Sequence, residues 1–539
     1  MTWWLFLLFD VSAAFILETK YGRIQGYSLR TRNNREVFLF AGIPYATPPL
    51  GTLRFMDPVP PKPWNGIIDT KVSKACIQYI HPYFTEVLMG GEDCLYLTVY
   101  TPKLNATTLY PVIVYFHGGA FLTGAGQLDH GAQYIMDHDV VLVQVEYRIG
   151  ALGFLTMEDN VLSGNMGLKD QLMALKWVQN NIKTFNGDPH KVTLMGDSAG
   201  AASTHFHMIS PLSKGLFRGV ISESGSSLSP WALTVPGVAR RVAINTAISL
   251  KCPVENVYKM LHCLQSKEAN KIVAVFHRDD FPVRYDNPLF TFLPIIDSNS
   301  STPFLPKNPY LMKSEPVPWL TGCNTLDGFL VSGFFVALYP FINLYRIIDE
   351  AFDQLMPKFL FYGTYENTTT ISNQIRNFYF GNKQITNFSL KNITNMFTDR
   401  FFFWPMIESL KLHGGPTYVY SFAYNSNLSY QFDYTDKRIL NGSDHEDETI
   451  FLWNRTHRLY QSLSTKDLEF SKRLVKIFVD FVTFSTPTPA ESNYQWPLWD
   501  NQNQTFIRFG YNGNIIKEQK FYPDRMTFWS SLKLNNNSK

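Results

Sequence analysis

The clearest structural signal in this 539-residue chain is the sequence Val192-Thr-Leu-Met-Gly-Asp-Ser-Ala-Gly200. Its first four residues have the apolar character of a buried strand, and residues 199–209 follow with the character of a helix. Between them, Gly196 and Gly200 each stand two residues from Ser198. A turn this sharp leaves no room for side chains at the flanking positions, and it lifts the serine hydroxyl clear of the sheet. The pentapeptide G-x-S-x-G alone is a weak signal, but between a strand and a helix it predicts a nucleophile elbow at Ser198.

The same alternation of strand and helix patterns extends to both sides of that turn. The run from Gly167 to Thr184 places its apolar residues at helical spacing. Such alternation predicts an α/β fold, with a mostly parallel, twisted central sheet and helices on both of its faces. In such folds a site forms in the loops at the carboxyl ends of the strands. The predicted strands are Pro111–Phe116, Val140–Glu146, Val192–Met195 and Gly219–Ser222.

Backbone N–H donors are expected just after the first of these strands, at His117-Gly118-Gly119. A serine hydroxyl is a poor nucleophile unless a base accepts its proton, and its attack on a carbonyl needs donors for the oxyanion that forms. Glycine lets the backbone approach a ligand closely. The N–H groups of Gly118, Gly119 and Ala199 are therefore candidates for an oxyanion hole. A plain turn after a strand is the alternative for the glycine pair taken alone.

Charge and composition exclude several classes of partner. Lys and Arg number 48 and Asp and Glu 45, so the net charge is only +3. No run rich in Lys or Arg is present, and neither a nucleic-acid partner nor an anionic membrane surface is expected. No repeat, long linker or low-complexity segment divides the chain, so a single domain from residue 15 to residue 539 is predicted. The aromatic fraction of 15% suits a large core or an apolar pocket.

The first residues have the pattern of a secretory signal. An apolar run from Met1 to Phe9 is followed by Asp10 and then by Ser12-Ala13-Ala14. This pattern predicts a signal peptide over residues 1–14, cleaved after Ala13 or Ala14, although no Lys or Arg precedes the run. A buried first strand is the alternative. The run is too short to span a bilayer, and residues 534–539 are polar, so no membrane anchor is expected and the predicted location is extracellular.

Cysteines and glycosylation sequons favour the same compartment. Cys76, Cys94, Cys252 and Cys263 stand at short spacings, which in an exported chain favours local disulfides. Cys323, flanked by apolar residues, is expected to be a buried free thiol. Ten asparagines head an N-x-S/T sequon, a pattern typical of surface sites in secreted chains. They are Asn105, Asn299, Asn367, Asn387, Asn392, Asn427, Asn441, Asn454, Asn503 and Asn536.

Further motifs occur in order along nearly the whole chain. Gly42-Ile-Pro-Tyr-Ala46 lies near the start, Glu92-Asp-Cys-Leu-Tyr-Leu97 follows, and Phe185-Asn-Gly-Asp-Pro189 leads into the Ser198 turn. In these motifs the chain resembles the type B carboxylesterase/cholinesterase family, and within it the secreted invertebrate carboxylesterases. The resemblance implies an α/β-hydrolase fold and the activity of a carboxylic ester hydrolase.

The resemblance also implies two partners for the serine. The family's acid is expected in Gly322-Cys-Asn-Thr-Leu-Asp-Gly328, which gives Asp327. Its histidine is expected in Gly442-Ser-Asp-His-Glu-Asp-Glu448, which gives His445. Many relatives have Glu as the acid. Because Asp is one methylene shorter, the chain must bring Asp327 closer to His445, or the hydrogen bond between them is weaker. In the implied mechanism His445 is the base for the serine and Asp327 orients its imidazole.

Other roles are implied in the same way. Trp231 is expected to form a wall of the acyl pocket, and Ser224 to form a hydrogen bond to the triad. Asp197 stands where many relatives have Glu; an anion there would stabilise the imidazolium, and a solvated carboxylate at a helix start is the alternative. Asp297, a rival for the acid, looks like a turn residue. The implied disulfides are Cys76–Cys94 and Cys252–Cys263, and the implied ion pairs are Arg54–Glu92 and Arg148–Asp170.

The expected substrate is a small-molecule carboxylic ester, in the simplest case an apolar or xenobiotic one. A cholinesterase is disfavoured because choline esterases hold the cation against a Trp in the first disulfide loop, and residues 77–93 contain Tyr79, Tyr83 and Phe84 but no Trp. A juvenile-hormone-type esterase stays open, although such enzymes usually have Gln before the serine. A cholinesterase-like interaction protein without catalysis and a slow enzyme that sequesters its ester stay open as well. The histidines form no metal-ligand pattern, so neither a metal nor another cofactor is expected.

Overall fold

The structure is a computed structural model that describes residues 14–79, 87–275, 290–339, 341–455, 462–489, 494–532 and 534. The apolar run of the predicted signal peptide lies outside these residues, as do Tyr83, Phe84 and Asn536. Ala14 opens the first strand. In the part of the chain that is described, no helix combines the length and the apolar character needed to cross a membrane.

The described residues contain fifteen strands, thirteen of which belong to one sheet. The strands are β1 (Ala14–Thr19), β2 (Gly22–Arg30), β3 (Glu36–Pro44), β4 (Ile67–Ile68), β5 (Gln78–Tyr79), β6 (Leu88–Met89), β7 (Tyr96–Thr101), β8 (Tyr110–Phe116), β9 (Val141–Val145), β10 (Gly187–Asp197), β11 (Gly219–Glu223), β12 (Trp319–Asn324), β13 (Thr417–Phe422), β14 (Thr505–Phe509) and β15 (Ile515–Gln519).

The large sheet has a parallel centre and antiparallel edges. Its order is β1-β2-β3-β7-β9-β8-β10-β11-β12-β13-β14-β15, with β4 beside β2, while β5 and β6 pair separately. The seven strands from β9 to β14 in that order run parallel to one another. The strands β1, β2, β3, β7 and β15 join it in antiparallel pairs. The predicted α/β architecture with a mostly parallel central sheet is confirmed.

Helices follow most of the parallel strands along the chain. Sixteen α-helices lie in the described residues, and a π-helical turn, Asp399–Phe403, joins two of them. They are α1 (Gly126–Asp129), α2 (Gly150–Phe154), α3 (Met166–Asn181), α4 (Ala199–Ile209), α5 (Val238–Ser249), α6 (Val257–Ser266), α7 (Ala269–Ala274), α8 (Phe329–Ala337), α9 (Leu344–Glu350), α10 (Phe352–Phe359), α11 (Thr368–Phe380), α12 (Leu390–Thr398), α13 (Trp404–Leu412), α14 (Thr449–Leu452), α15 (Thr465–Phe484) and α16 (Pro523–Ser531).

Two apolar cores lie on the two faces of the sheet. Successive side chains of a strand point to opposite faces, and in β8 Val114 joins one core whereas Tyr115 joins the other. Helices α3 and α4 pack on the first face, through residues such as Leu168 and Phe206. Helix α15 packs on the second through residues such as Phe478. With helices on both faces, the carboxyl ends of the parallel strands form the edge that is open to a substrate.

Candidate active site

Ser198 lies at the sharp turn between β10 and α4. Its φ of 53° and ψ of −119° are a strained combination for a residue that has a side chain. The turn depends on its glycines: a Cβ on Gly196 would lie 2.5 Å from the backbone of Gly200, and a Cβ on Gly200 would lie 2.0 Å from the Phe116 carbonyl oxygen. The Ser198 N–H donates to the Glu223 carbonyl at 2.8 Å, which fixes the turn against β11. Strand, turn and helix have the elbow geometry that the sequence predicts.

His445 and Asp327 are joined by a hydrogen bond in the buried floor of the site. Nδ1 of His445 lies 2.8 Å from Oδ1 of Asp327. The other oxygen of Asp327 accepts from Ser224 Oγ at 2.9 Å and from the Asn324 N–H at 2.8 Å. Burial alone lowers the pKa of His445, but the hydrogen bond and the charge of Asp327 outweigh burial and raise that pKa above its ordinary value. Asp327 therefore orients the imidazole and makes it a stronger base.

Backbone pairing brings the acid and base segments together. The N–H of Leu326 donates to the Ser443 carbonyl at 2.9 Å, and Leu326 forms a parallel β-bridge with Asp444. Asn324, the last residue of β12, donates from Nδ2 to the Asp444 carbonyl at 2.7 Å. This close approach lets the short side chain of Asp327 form a full-strength hydrogen bond to the imidazole.

Ser198 and His445 face the same cavity, which has a volume of about 410 Å³. Nε2 of His445 has no hydrogen-bond partner among the described residues, so this nitrogen is available to accept a proton. In an enzyme without substrate, the contact between base and nucleophile is often long and tightens when substrate binds. The arrangement can activate the serine hydroxyl for attack on a bound carbonyl carbon.

Backbone N–H groups face this cavity from the loop after β8. Gly118 and Gly119 line it, next to Ala120. His117 Nδ1 lies 2.8 Å from the Gly118 carbonyl oxygen. This carbonyl and the Gly119 N–H belong to one peptide group, and in a trans peptide the C=O and N–H point in opposite directions. The Gly119 N–H therefore faces away from the His117 ring. Within the described part of the chain, none of the three N–H groups has an acceptor. The sequence did not indicate Ala120 as a donor residue. Its φ of 57° is in the left-handed region, and alanine carries no signal for that backbone conformation.

A further backbone N–H donor belongs to the elbow itself. Ala199 is the first residue of α4, and the first N–H groups of a helix have no intrahelical acceptor. They also carry the positive end of the helix dipole. The Ala199 N–H is thereby suited to stabilise an oxyanion formed at Ser198.

Comparison with known proteins agrees with this geometry. The model of the carboxylesterase family matches residues 13–529. The chain belongs to the carboxylesterase family. It is 34% identical to juvenile hormone esterase of Tribolium castaneum over 512 residues, 89% of this chain and 85% of that protein. It is 34% identical to esterase E4 of Myzus persicae over 536 residues, 96% of this chain and 94% of that protein. The crystal structure of juvenile hormone esterase from Manduca sexta, with OTFP covalently attached, matches with a TM-score of 0.84 at 26% identity, covering 97% of this chain and 100% of the other.

In this carboxylesterase Asp197 is a buried residue, so the interpretation as a solvated carboxylate is wrong. Tyr115 donates its hydroxyl to Oδ1, while Oδ2 has no partner within the described residues. Burial and then the charge of Glu446 raise the pKa of Asp197, and Arg455 opposes them. Asp197 lines the cavity beside Ser198, where its charge would act on an imidazolium.

Arg455 is a buried cation of the carboxylesterase site that no pattern in the sequence indicates. Its guanidinium donates to His130 Nε2 at 2.5 Å and to Thr449 Oγ1 at 2.9 Å, and it also contacts the Tyr430 hydroxyl. Because a guanidinium cannot accept, His130 Nε2 is the acceptor of this hydrogen bond. Through these hydrogen bonds Arg455 connects the segment that follows His445 to the segment that follows Gly118 and Gly119. An isolated Arg in the sequence gives no sign of such a role.

An apolar wall closes the other side of the cavity. Trp231, the predicted acyl-pocket residue, lines it and is buried. Its indole Nε1 donates to the Phe401 carbonyl at 3.1 Å, which fixes the plane of the ring. Other apolar residues line the cavity although no pattern in the sequence indicates them; they include Phe290, Leu330, Val331, Phe334 and Phe402.

Asp297 and two histidines of α4 have structural roles in the carboxylesterase. Asp297 accepts from the backbone N–H groups of Phe304 and Leu305 at 2.9 and 2.6 Å, so it holds a turn, as expected. His205 and His207 are core residues, in which burial lowers the pKa of each imidazole to about 3.

The implied disulfides Cys76–Cys94 and Cys252–Cys263 are both present, and Cys323 is a buried free thiol. The implied ion pairs Arg54–Glu92 and Arg148–Asp170 are formed as well. Of the nine sequons in the described residues, only Asn454 is half-buried. The exposed asparagines are Asn105, Asn299, Asn367, Asn387, Asn392, Asn427, Asn441 and Asn503.

Proposed function

We propose that this chain is a serine carboxylesterase in which Ser198 is the nucleophile, His445 the general base and Asp327 the acid of the triad. One observation carries the proposal: an imidazole oriented by a 2.8 Å bond to a buried carboxylate faces the same cavity as a serine on a strained elbow. Each part alone has a structural explanation. Their convergence on one small volume is the arrangement that acyl transfer requires.

The proposed reaction has two steps. In the first, His445 Nε2 takes the Ser198 proton as Oγ attacks the ester carbonyl carbon, and the resulting oxyanion is stabilised by N–H groups of Gly118, Gly119 and Ala199. The imidazolium then gives the proton to the leaving alcohol, which departs as the C–O bond breaks. In the second step His445 takes a proton from water, the hydroxide attacks the acyl-enzyme, and Ser198 recovers its proton as the acid leaves.

The proposed substrates are apolar or xenobiotic carboxylic esters with an acyl group of moderate size. Support comes from the buried indole of Trp231 and the phenylalanine side chains beside it, which offer an apolar surface to an acyl chain. Juvenile hormone is the second candidate, favoured by the similarity to two juvenile hormone esterases. The two are separated by comparing kcat/KM for juvenile hormone with kcat/KM for simple alkyl esters, because a dedicated enzyme prefers its hormone by orders of magnitude.

Secretion is also part of the proposal. Two disulfides and eight exposed sequons suit an oxidising, extracellular compartment. Expression in insect cells should deliver the chain to the medium with glycan on several of these asparagines, measured as a mass loss on deglycosylation. Retention of unglycosylated protein in the cytosol would contradict the assignment.

The enzymatic assignment is tested by covalent labelling. An organophosphate such as diisopropyl fluorophosphate should add one phosphoryl group to the peptide that contains Ser198 and abolish ester hydrolysis. Ser198→Ala should neither be labelled nor hydrolyse p-nitrophenyl acetate. Ser203→Ala, a change at a buried serine of α4 that bonds to Gln171, should behave like wild type. Labelling at another residue, or hydrolysis by Ser198→Ala, would overturn the proposal.

The same experiment separates a catalyst from an interaction protein and from a sequestering enzyme. A non-catalytic interaction protein would neither be labelled nor turn over an ester. A sequestering enzyme would be labelled, and would release one equivalent of p-nitrophenol in a burst followed by very slow turnover.

A further inference from the structure

One buried turn, together with the end of the helix before it, contacts three separate parts of the proposed catalytic site. This π-turn, Asp399–Phe403, interrupts the path from α12 to α13. Pro405 stands four residues after Phe401, and because proline has no N–H, it cannot donate the α-helical hydrogen bond to the Phe401 carbonyl. The wider turn accommodates this loss. π-turns within α-helices are frequent at functional sites, so the contacts of this one are informative.

Its first contact is with the acyl-pocket wall. The Phe401 carbonyl, deprived of a donor at Pro405, accepts instead from Trp231 Nε1 at 3.1 Å. Both residues are buried, and a buried hydrogen bond of this kind fixes the orientation of the indole. The position of the wall is therefore tied to the position of the turn.

Its second contact is with the base. The ring of Phe402 packs on the imidazole of His445, with 4.8 Å between the centroids and 41° between the planes. The same ring lies 5.8 Å from that of Trp231. Phe402 is the one aromatic ring packed on His445 in the described part of the chain, and it also lines the cavity.

The third contact, with the acid segment, is made by α12, the helix that ends where the turn begins. The N–H of Gly328, next to Asp327, donates to Thr398 Oγ1 at 2.9 Å. A Cβ at Gly328 would lie 2.3 Å from the Thr394 carbonyl oxygen and 2.4 Å from the Thr398 nitrogen. Only glycine fits there, so the acid segment rests directly on α12, one residue before the π-turn begins.

Hydrogen bonds of its first two residues fix the turn to the surrounding structure. Asp399 accepts hydrogen bonds from the Tyr379 hydroxyl and from Arg525 Nε, both at 2.6 Å. Arg400 donates from Nε to the Leu360 carbonyl at 2.8 Å. All five residues of the turn are buried, so it is a fixed support for the side chains that it presents.

We propose that Phe402 is a positioning residue for His445, held in place by the π-turn and by Trp231. This inference rests on the proposed function, in which His445 is the base for Ser198. The hydrogen bond from Nδ1 to Asp327 fixes one atom of the imidazole but leaves the ring free to tilt about it. A second ring against its face restricts that tilt and holds the imidazole in place in the cavity that Ser198 also lines.

Phe402 could instead serve only as a wall of the acyl pocket, and the two roles predict different kinetics. A wall acts only on acyl groups long enough to touch it, so its loss changes KM for long acyl chains. A positioning residue acts on proton transfer, so its loss lowers kcat for every ester, including acetate. Misplacement of a reacting group by a fraction of an ångström is enough to cost about tenfold in rate.

The test compares Phe402→Leu with Phe403→Leu as its matched control. Phe403 is a buried phenylalanine of the same turn, but its ring packs on Phe521 and Tyr522, with 5.3 Å between the centroids in each case. Turnover of p-nitrophenyl acetate and p-nitrophenyl octanoate is measured per organophosphate-labelled site. Phe402→Leu should lower kcat for acetate about tenfold with KM within twofold of wild type. Phe403→Leu should stay within twofold, and Phe402→Tyr, which keeps the ring, should stay within threefold.

The proposal is overturned if Phe402→Leu hydrolyses acetate at the rate of Phe403→Leu and changes only the KM for octanoate. If Phe402→Leu takes up no label because it does not fold, Phe402→Met replaces it and is judged by the same acetate kcat. Failure of the proposed function has a different signature, since wild-type protein itself would then not be labelled at Ser198.

Discussion

Replacement of Asp327 by Asn should invert the protonation of the imidazole, and the hydrogen bonds around the carboxylate show why. Oδ2 of Asp327 accepts from the Asn324 N–H at 2.8 Å and from Ser224 Oγ at 2.9 Å, while Oδ1 accepts from His445 Nδ1 at 2.8 Å. A backbone N–H can only donate. The single oxygen of an Asn side chain must therefore take the place of Oδ2, and its NH2 group must face His445.

An NH2 group facing Nδ1 selects the wrong tautomer of the imidazole. Nδ1 has to accept from the amide, so the proton of the neutral ring moves to Nε2. Nε2 is the nitrogen that must take the serine proton, and in this tautomer it has no lone pair available. In a serine triad such a substitution lowers kcat by about 10⁴, which corresponds to about 5 kcal/mol in the activation barrier.

The assay is kcat for p-nitrophenyl acetate, measured per labelled site from pH 6 to pH 10. The wild-type rate should rise with pH through an apparent pKa above the usual value for histidine, because Asp327 raises the pKa of His445 and only the neutral imidazole is a base. The Asn variant should lose about four orders of magnitude in kcat, and that limb of its pH profile should move to lower pH or disappear. Ser224→Ala, which removes one donor to Oδ2 but leaves the carboxylate, is the control and should lose far less.

The prediction is wrong if Asp327→Asn keeps more than about a tenth of the wild-type kcat while its unfolding temperature is unchanged, since a loss of about 10⁴-fold is expected. That result would mean that the imidazole tautomer is set by another group. A crystal structure of the variant with the amide NH2 turned toward Asn324 would contradict the expectation that this NH2 group faces His445.

Two other predictions concern stability and specificity. Glu223 is fully buried, and its carboxyl oxygens have no hydrogen-bond partner among the described residues; burial raises its pKa well above the ordinary value. The native state keeps this proton while the unfolded chain loses it above about pH 4.5, so stability falls as pH rises, by up to about 1.4 kcal/mol per pH unit. Glu223→Gln should raise the unfolding temperature at pH 8 and much less at pH 5, and an equal gain at both would contradict the assignment. Trp231→Leu should raise the kcat/KM ratio of a branched acyl ester to acetate by roughly tenfold or more, and an unchanged ratio would place the acyl group elsewhere.

Local patterns were sufficient to predict the elbow and the central sheet. The glycines around Ser198 are required by contacts within five residues and with the end of the neighbouring strand, and such short-range constraints leave a clear mark on sequence. Boundaries were less accurate. Strand β10 runs from Gly187 to Asp197, well beyond the predicted Val192–Met195, because pairing with β8 and β11 extends a strand past its apolar centre. The predicted helix from Gly167 gives way to a 3₁₀ turn at Ile182, which ends at Asn186 in the left-handed conformation.

The aromatic lining could not be predicted from sequence. Phe401, Phe402 and Phe403 are consecutive and chemically identical, and only the middle ring reaches the cavity. The 3.6-residue period of an α-helix would predict the wrong buried and cavity-facing sides for these residues, because the extra residue of the π-turn rotates the positions that follow it. The burial of Asp197 could not be predicted either, because its partner Tyr115 is distant in sequence. The ring of Tyr115 in turn packs on Trp453, with 4.5 Å between the centroids.

Asp327, the proposed acid of the triad, shows how a side chain and the backbone around it must match. Glu would reach His445 from a backbone one methylene farther away. In this chain the acid segment is bonded to the base segment through Leu326 and Ser443 and seated on α12 at Gly328, so the distance is already fixed for Asp. Asp327→Glu should therefore push the imidazole from its place against Phe402 and lower kcat, although it keeps the carboxylate. The length of the acid side chain and the distance between the acid and base segments match each other, so a change in one alone should displace the imidazole.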